Sequence, residues 1–179
     1  MRTLGVVLAG GKSSRFGSDK ALAMLGGRRL MDHALDNLRR HTDEVAVAGR
    51  TLDGVISIPD QPTAGLGPLG GLCGALDYAA AQGFDRVLTC SVDCPDLPAE
   101  ILKHAPSYLK GQPVIGLWPA SAASALREFI TTDDRRSVRG FGAHIGALAV
   151  DTDYTALNIN TPDDLRAAAT RLERETGSA

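Results

Sequence analysis

Glycines, small hydroxyl residues and cationic side chains follow the first apolar segment of the chain. That segment runs from Leu4 to Leu8, and the next twelve residues are Ala9-Gly10-Gly11-Lys12-Ser13-Ser14-Arg15-Phe16-Gly17-Ser18-Asp19-Lys20. Glycines let a backbone approach an anion closely, and consecutive N–H groups can then point into one concavity. Arg15 and Lys20 add full positive charge. The segment therefore predicts a phosphate-binding loop at the end of a buried strand.

This loop differs from two common glycine-rich loops. A P-loop requires G-x-x-x-x-G-K-[ST]; Gly11-Lys12-Ser13 would end that pattern, but its first glycine would fall at Val6. The dinucleotide-binding pattern G-x-G-x-x-G fails as well, because Gly10 and Gly11 are adjacent. A plain surface turn is the structural alternative, and it leaves the cations beside the glycines unexplained.

Two carboxylates follow further strand-like segments. Val87–Cys90 leads to Asp93 two residues after Ser91, and Val55–Ile58 leads to Asp60. Mg²⁺ prefers one or two carboxylates together with phosphate oxygens, so Asp93 is a candidate metal ligand. Asp60 directly follows its strand-like segment and Pro59, where a carboxylate could accept hydrogen bonds from a ligand. Helix capping and an exposed loop position are the respective structural alternatives.

Two more motifs stand where helices begin. Gly65-Leu66-Gly67-Pro68-Leu69-Gly70-Gly71-Leu72 combines glycines with a proline suited to a first helical turn, where N–H groups contact ligands. Tight helix–sheet packing is its alternative explanation. In Asn158-Ile159-Asn160-Thr161-Pro162, alternation puts both asparagines on one side. Thr161 is expected to cap the helix that follows, with Pro162 at its first position.

As a set these segments resemble the molybdenum cofactor guanylyltransferases, a group within the MobA-like NTP transferases. The first segment matches L-A-G-G-x-S-x-R-[MF]-G-x-D-K, the glycine-rich one G-P-L-x-G-[LM], and the last one N-[IV]-N-T-P-[DE]-[DE]-L. Such enzymes transfer GMP from GTP to the phosphate of molybdopterin, which releases pyrophosphate and forms the guanine dinucleotide cofactor. Related cytidylyltransferases usually carry alanine at the position of Gly10, so the resemblance favours guanine.

The resemblance also implies residue roles. Arg15, Lys20 and Asp93 would be catalytic. Asp93 would hold Mg²⁺ or Mn²⁺, and the side chains of Arg15 and Lys20 would neutralise the charge on the leaving pyrophosphate. Asn158 and Asn160 would border the metal or the acceptor. Asp60 stands where the family has an aspartate that helps read the nucleotide, and a carboxylate can accept both the ring N–H and the amino group of guanine. The implied nucleotide site comprises Leu8, Ala9, Gly10, Gly11, Lys20, Asp60, Gly67 and Asp93.

Two other positions bear on this hypothesis. Arg135 and Arg139 would share one helix face at i and i+4, either as a solvated basic surface or as a site for the acceptor phosphate or a partner protein. Such a partner would be a cofactor-insertion or chaperone protein. Ala48 stands where relatives can carry an asparagine that contacts the nucleotide, and Arg50 is the neighbour that could replace it.

The elements that must position these residues alternate between strands and helices. Helical spacing of apolar residues extends over Leu30–Leu38 and Leu69–Ala80, with further helix candidates at Ile101-Leu102 and Leu126–Ile130. We predict an α/β fold: a doubly wound, mostly parallel sheet of Rossmann-like, nucleotide-diphospho-sugar transferase type, in three layers, with its ligand at the carboxyl ends of the strands. The predicted strands are Leu4–Leu8, Val45–Ala48, Val55–Ile58, Val87–Cys90, Pro113–Leu117 and Ala147–Val150.

Length and composition narrow the functional classes. The 179 residues, of which 44% are hydrophobic and 22% charged, predict one folded domain over 1–179 with a frayed tail at 173–179. A net charge of −2 without a basic block excludes binding of nucleic acid through its phosphates. We expect a cytoplasmic protein without membrane association, since no segment matches a signal peptide or the roughly 20 apolar residues of a membrane span. Three cysteines without a C-x-x-C pair predict neither a zinc site nor disulfides.

Two alternatives to the guanylyltransferase hypothesis stay open. One is a CTP-dependent transferase of the same fold that acts on molybdopterin or a sugar phosphate. The other, of a different class, is a non-catalytic module that binds GTP or the cofactor and delivers it. Intact Arg15, Lys20 and Asp93 favour an enzyme.

Overall fold

A seven-stranded sheet forms the centre of the computed structural model, which describes residues 1–10, 19–94, 96–132, 136–152, 159 and 161–176. A separate two-stranded hairpin precedes the first long helix. In chain order the strands are β1 Thr3–Leu8, β2 Met24–Leu25, β3 Arg28–Arg29, β4 Glu44–Ala48, β5 Ile56–Ile58, β6 Arg86–Ser91, β7 Ser107–Leu109, β8 Gln112–Pro119 and β9 Leu148–Val150.

The strand order in the large sheet is β5-β4-β1-β6-β8-β7-β9. Strands β5, β4, β1 and β6 pair in parallel, β8 is antiparallel to both β6 and β7, and β9 is parallel to β7. In that register Leu8 lies opposite Ala48 on one side and Ser91 on the other. The carboxyl ends of β1, β4 and β6 therefore meet at one edge of the sheet, which places the residues after them side by side.

Helices cover both faces of this sheet, and the strands are accordingly apolar on successive residues. Within α1, Met31, Leu35 and Leu38 pack against one face with Val7. On the opposite face, α2 packs through residues such as Leu72 against Val6. Helices α3 and α4 contribute to that second core as well. The bounds are α1 Leu30–Arg39, α2 Pro68–Ala81, α3 Ala123–Thr132, α4 Val138–His144 and α5 Pro162–Thr176. The predicted three-layer α/β fold is confirmed.

Helix α5 begins as the sequence indicated. Thr161 Oγ1 accepts a hydrogen bond from Asp164 N at 3.2 Å, and Asp164 Oδ2 accepts one from Thr161 N at 2.8 Å. This reciprocal capping satisfies two backbone donors that the first turn leaves without a partner. The helix then packs beside the β2–β3 hairpin, where Ala168 joins a small cluster with Leu25 and Leu30.

Two local features differ from the sequence prediction. Ile101 and Leu102 belong to a short 3₁₀ turn, Ala99–Leu102, which begins directly after Pro98, and not to an α-helix. The three-residue strand β7 was not predicted. Arg135 lies outside the described residues, so its expected pairing with Arg139 stays a prediction; α4 itself starts at Val138, after the extended N-cap Ser137.

None of the helices in the described ranges combines the length and the apolar surface that crossing a bilayer requires.

Candidate active site

The candidate site lies where β1 and β6 end side by side. From β1 the sheet continues to β4 and β5 in one direction and to β6 in the other, and ligands of doubly wound sheets bind at such a switch point. Ala9 N donates a 2.9 Å hydrogen bond to Ala48 O, which holds the start of the glycine-rich loop against β4. Asp93 follows β6 by two residues, so it faces the same edge.

Asp93 forms an ion pair with Lys20 at the centre of this edge. Lys20 Nζ lies 2.8 Å from Asp93 Oδ2, and only 13% and 5% of the two side chains are exposed. The other carboxylate oxygen, Oδ1, accepts a hydrogen bond from Ser91 Oγ at 2.5 Å. A lysine and an aspartate from segments 73 residues apart are thereby held together out of bulk water, where charges interact strongly.

Lys20 is positioned by the residue before it. Asp19 is the N-cap of a short 3₁₀ helix, Lys20–Leu22, and its Oδ1 accepts a hydrogen bond from Ala21 N at 3.1 Å. Both carboxylate oxygens of Asp19 also pair with the guanidinium of Arg50, which follows β4. The hydrogen bond from Arg50 holds the pKa of Asp19 below its ordinary value. The Asp19–Arg50 pair thus ties the end of the glycine-rich loop to the β4–β5 loop.

Asp60 lies in a cradle of glycines beside β1 and β4. A Cβ built on Gly10 would lie 3.4 Å from Asp60 Oδ2 and 3.5 Å from Oδ1. Gly49 has φ +83°, and a Cβ there would lie 2.5 Å from Gly10 Cα, so this position requires glycine. Gly70, in the first turn of α2, packs against the Asp60 side chain from the other side.

The carboxylate of Asp60 is incompletely satisfied. Its Oδ1 is buried and has no hydrogen-bond partner among the described residues, and this burial raises the pKa of Asp60 above its ordinary value of 3.8. An unpartnered buried acceptor is uncommon and is typical of a binding site. Asp60 also borders a cavity of about 300 Å³ between the loop after β4 and the segment around β5, lined further by Gly49, Arg50, Thr51, Ser57, Ile58, Pro59 and Ala64.

The residues around Asp93 fit a magnesium ion. Within the described ranges no group of three or more His, Cys, Asp or Glu side chains is arranged to hold a metal. Mg²⁺ does not need such a cage, since it commonly binds one carboxylate and takes its other ligands from phosphates and water. The Asp93 carboxylate beside the Ser91 hydroxyl offers the hard oxygen donors that this ion prefers.

The structure brings most of the expected nucleotide-site residues to one edge. Lys20 and Asp93 are in contact, and Asp60 lies against Gly10. Leu8 ends β1, Ala9 follows it, and Gly67 precedes α2 one turn before Gly70. Arg139 is exposed on α4, and its Nη2 donates to Lys110 O at 2.8 Å in the β7–β8 turn. The predicted site residues Gly11, Arg15, Arg135, Asn158 and Asn160 lie outside the described residues.

Sequence reasoning missed two contributors to this edge. Ser91 stands two residues before Asp93, a spacing that a strand-to-turn transition can bring into contact, so it could have been considered. Gln112 donates from Nε2 to Ser91 Oγ at 3.1 Å, and nothing in the sequence connects it to β6. The guanidinium of Arg50, the neighbour that could replace an asparagine at the position of Ala48, pairs with Asp19 and lines the same cavity as Asp60.

Comparison with known proteins places this geometry in a family. Residues 5–147 match the model of the MobA-like NTP transferase domain. A molybdenum cofactor guanylyltransferase from Rhizobium leguminosarum bv. trifolii is 40% identical over 193 residues, covering 94% of this chain and 92% of that protein. A molybdenum cofactor guanylyltransferase from Rhodobacter capsulatus is 34% identical over 191 residues, covering 97% and 98%.

Solved structures share the fold at low sequence identity. Molybdopterin-guanine dinucleotide biosynthesis protein A from Archaeoglobus fulgidus superposes with a TM-score of 0.70 at 21% identity, covering 96% of this chain and 99% of that one. A 4-diphosphocytidyl-2C-methyl-D-erythritol synthase from Anaerococcus prevotii gives a TM-score of 0.65 at 14% identity, covering 97% and 99%. The fold is therefore that of nucleotidyltransferases with different acceptors.

Proposed function

The chain belongs to the MobA-like NTP transferase family, and we propose that it transfers GMP from GTP to the phosphate of molybdopterin, releasing pyrophosphate. The relatives that match over nearly the whole chain carry the name molybdenum cofactor guanylyltransferase. The observation that carries the proposal is the shared strand edge: it holds the buried Lys20–Asp93 pair and the buried Asp60 Oδ1, which has no hydrogen-bond partner among the described residues.

The proposed reaction is an in-line displacement at phosphorus. An oxygen of the molybdopterin phosphate forms a new bond to the α-phosphorus of GTP, and the bond to the bridging oxygen of the β-phosphate breaks. Pyrophosphate leaves with the electron pair. The attacking phosphate is already ionised at neutral pH, so no general base has to remove a proton. Positioning and neutralisation of charge then supply most of the catalysis, as in other phosphoryl transfers.

The residues at the edge divide these tasks. Lys20 brings a positive charge close to the phosphates, where it offsets the charge that grows on the leaving pyrophosphate. Arg15 is assigned the same task through the sequence motif. Asp93 would hold Mg²⁺, with Ser91 beside it, and the ion would supply charge neutralisation and orientation of the phosphate oxygens. Holding these groups in a partly buried edge strengthens their interactions with the substrate.

Asp60 is proposed to select guanine. Its carboxylate can accept hydrogen bonds from the ring N–H and the exocyclic amino group of guanine at the same time. Cytosine and adenine present no such pair of adjacent donors, so they would leave the buried carboxylate unsatisfied. Gly10 supports this assignment because a Cβ there would lie 3.4 Å from Asp60 Oδ2 and 3.5 Å from Oδ1, so the glycine leaves room beside both oxygens.

Product formation tests the proposal. The purified protein is incubated anaerobically with Mg²⁺, GTP and molybdopterin, pyrophosphate is measured, and the product is identified by mass. We expect pyrophosphate and the guanine dinucleotide in equal amounts. In Asp93→Asn the rate of formation of both should fall at least about a hundredfold, the size of effect typical when one preorganised electrostatic contact is removed from an active site. Glu128→Gln, the same kind of change at an exposed position of α3, is the matched control. Tight GTP binding without pyrophosphate release would contradict the proposal and favour a delivery module.

A further inference from the structure

Gln112 is joined to the active-site carboxylate through a chain of hydrogen bonds whose direction is fixed. Ser91 Oγ lies 2.5 Å from Asp93 Oδ1, and an ionised carboxylate can only accept, so the serine donates its single proton there. Toward Gln112 the hydroxyl can then only accept. The amide therefore turns its Nε2 to Ser91, at 3.1 Å, and its Oε1 points away from the chain of bonds.

The amide oxygen that points away has no partner in the described part of the chain. Gln112 Oε1 is buried, and no described residue donates a hydrogen bond to it. Buried side-chain acceptors are nearly always paired with a donor, because an unpaired one loses its hydration without compensation. Among the described residues only Asp60 shares this condition, and Asp60 lies at the candidate nucleotide site.

The position of Gln112 in the sheet separates it from the nucleotide residues. Gly10 and Asp60 lie after β1 and β5, on one side of Asp93, whereas Gln112 opens β8 on the other side. In-line displacement requires the attacking group and the leaving group to lie on opposite sides of the phosphorus. The residues assigned to the nucleoside follow β1 and β5, so the β8 side of Asp93 is the side that they leave for an acceptor. Arg139 reaches the same region, since it donates to Lys110 O in the turn that leads into β8.

We propose that Gln112 binds the acceptor, with its Oε1 accepting a hydrogen bond from an N–H group of the acceptor's heterocycle. The inference rests on the proposed function, because a pterin carries ring N–H and amino donors of this kind. The Nε2 of Gln112 at the same time holds Ser91 against Asp93. Gln112 thus couples the position of the acceptor to the position of the carboxylate beside the reacting phosphates.

Direct binding of molybdopterin is the first test. The acceptor is titrated anaerobically into the nucleotide-free protein and followed by pterin fluorescence, and GTP binding is measured separately by calorimetry. Gln112→Leu removes the buried amide oxygen and with it the hydrogen bond from the acceptor, so the molybdopterin Kd of this variant should rise about tenfold. Its GTP Kd should stay within about twofold of wild type. Gln82→Leu is the matched control, since Gln82 is exposed at the far end of α2.

A second variant separates binding of the acceptor from positioning of Asp93. Ser91→Ala removes the link to the carboxylate but keeps the amide oxygen of Gln112, so kcat should fall while the molybdopterin Kd changes less than about threefold. Urea unfolding of each variant shows that the fold is retained.

The outcomes distinguish this inference from the proposed function. An unchanged molybdopterin Kd in a folded Gln112→Leu overturns the role of Gln112, even if the wild type forms the dinucleotide. Equal effects of Ser91→Ala and Gln112→Leu on kcat, with no change in molybdopterin affinity, overturn it as well. A wild-type protein that binds molybdopterin through Gln112 but makes no dinucleotide would leave this inference standing and refute the guanylyltransferase proposal.

Discussion

Replacing Gly10 by alanine would place a methyl group against the carboxylate of Asp60. The added Cβ would lie 3.4 Å from Asp60 Oδ2, 3.5 Å from Oδ1 and 3.4 Å from Gly49 Cα. These are ordinary van der Waals distances, and the backbone of Gly10 is outside the left-handed region that would strain an alanine. We therefore expect the variant to fold, with its free energy of unfolding within about 1 kcal/mol of wild type.

The same methyl group would cover the oxygens that are proposed to read guanine. A hydrogen bond to a charged group contributes about 1.5–3 kcal/mol, and 1.4 kcal/mol corresponds to a tenfold change in Kd. Loss of one of the two proposed bonds should therefore raise the GTP Kd about 10- to 100-fold. Cytosine does not depend on that pair of bonds, so the CTP Kd should change much less. The ratio of the CTP Kd to the GTP Kd should therefore fall.

Calorimetric titration with GTP and CTP in the presence of Mg²⁺ measures both constants, and urea unfolding measures stability. Gly111→Ala is the control, because a Cβ on Gly111 meets nothing within 4 Å and the residue lies in the β7–β8 turn. A folded Gly10→Ala protein that binds GTP as tightly as wild type would refute the argument that an open Asp60 carboxylate selects the base. An equal loss of GTP and CTP affinity would refute it too, since the methyl group would then obstruct any nucleotide.

Three further predictions concern other described residues. Arg50→Met should weaken GTP binding several-fold by loosening the loop that Asp19 anchors, while costing less than about 1 kcal/mol in urea unfolding, because the ion pair is partly exposed. Burial raises the pKa of Asp60 above 3.8, and only the ionised carboxylate accepts both hydrogen bonds from guanine. The GTP affinity of the wild type, measured by calorimetry, should therefore be full at neutral pH and fall as the pH drops toward that raised pKa. Asp60→Asn should bind GTP weakly, and its GTP affinity should not show this fall at acidic pH. Burial also raises the pKa of Cys73 to about 11, and Cys90 is fully buried. A thiol reagent at pH 8 should therefore label these two cysteines only after unfolding. Rapid labelling of the native protein would contradict their burial.

The sequence correctly predicted the strands and helices that are buried along most of their length, because burial makes their residues apolar in a recognisable pattern. Strands β1 and β6 are apolar on successive residues because helices cover both of their faces, and α1 and α2 repeat apolar residues at helical spacing for the same reason. Strand β7 was missed because Ser107-Tyr108-Leu109 is too short to show a period. The reversed direction of β8 could not be predicted, because the alternation of side chains is the same in both directions along a strand.

The candidate site was predicted as a set of residues but not as a set of contacts. Motif spacing identified Lys20, Asp60 and Asp93 separately. Their relations depend on the register of the sheet: Thr89 lies opposite Gly116, and this alignment brings Gln112 to Ser91 across 21 residues. The ion pair of Lys20 with Asp93 spans 73 residues and likewise has no signal in local sequence.

The central claim is that this chain transfers GMP from GTP to molybdopterin and selects guanine through Asp60. Pyrophosphate release and dinucleotide formation are measured side by side with GTP, CTP, ATP and UTP at equal concentration, with Mg²⁺ and molybdopterin. We predict turnover with GTP at least about tenfold above that with any other nucleotide, and loss of this preference in Asp60→Asn. Equal or faster turnover with CTP would contradict the base assignment, and no turnover with any of the four would contradict the claim that the protein is a nucleotidyltransferase.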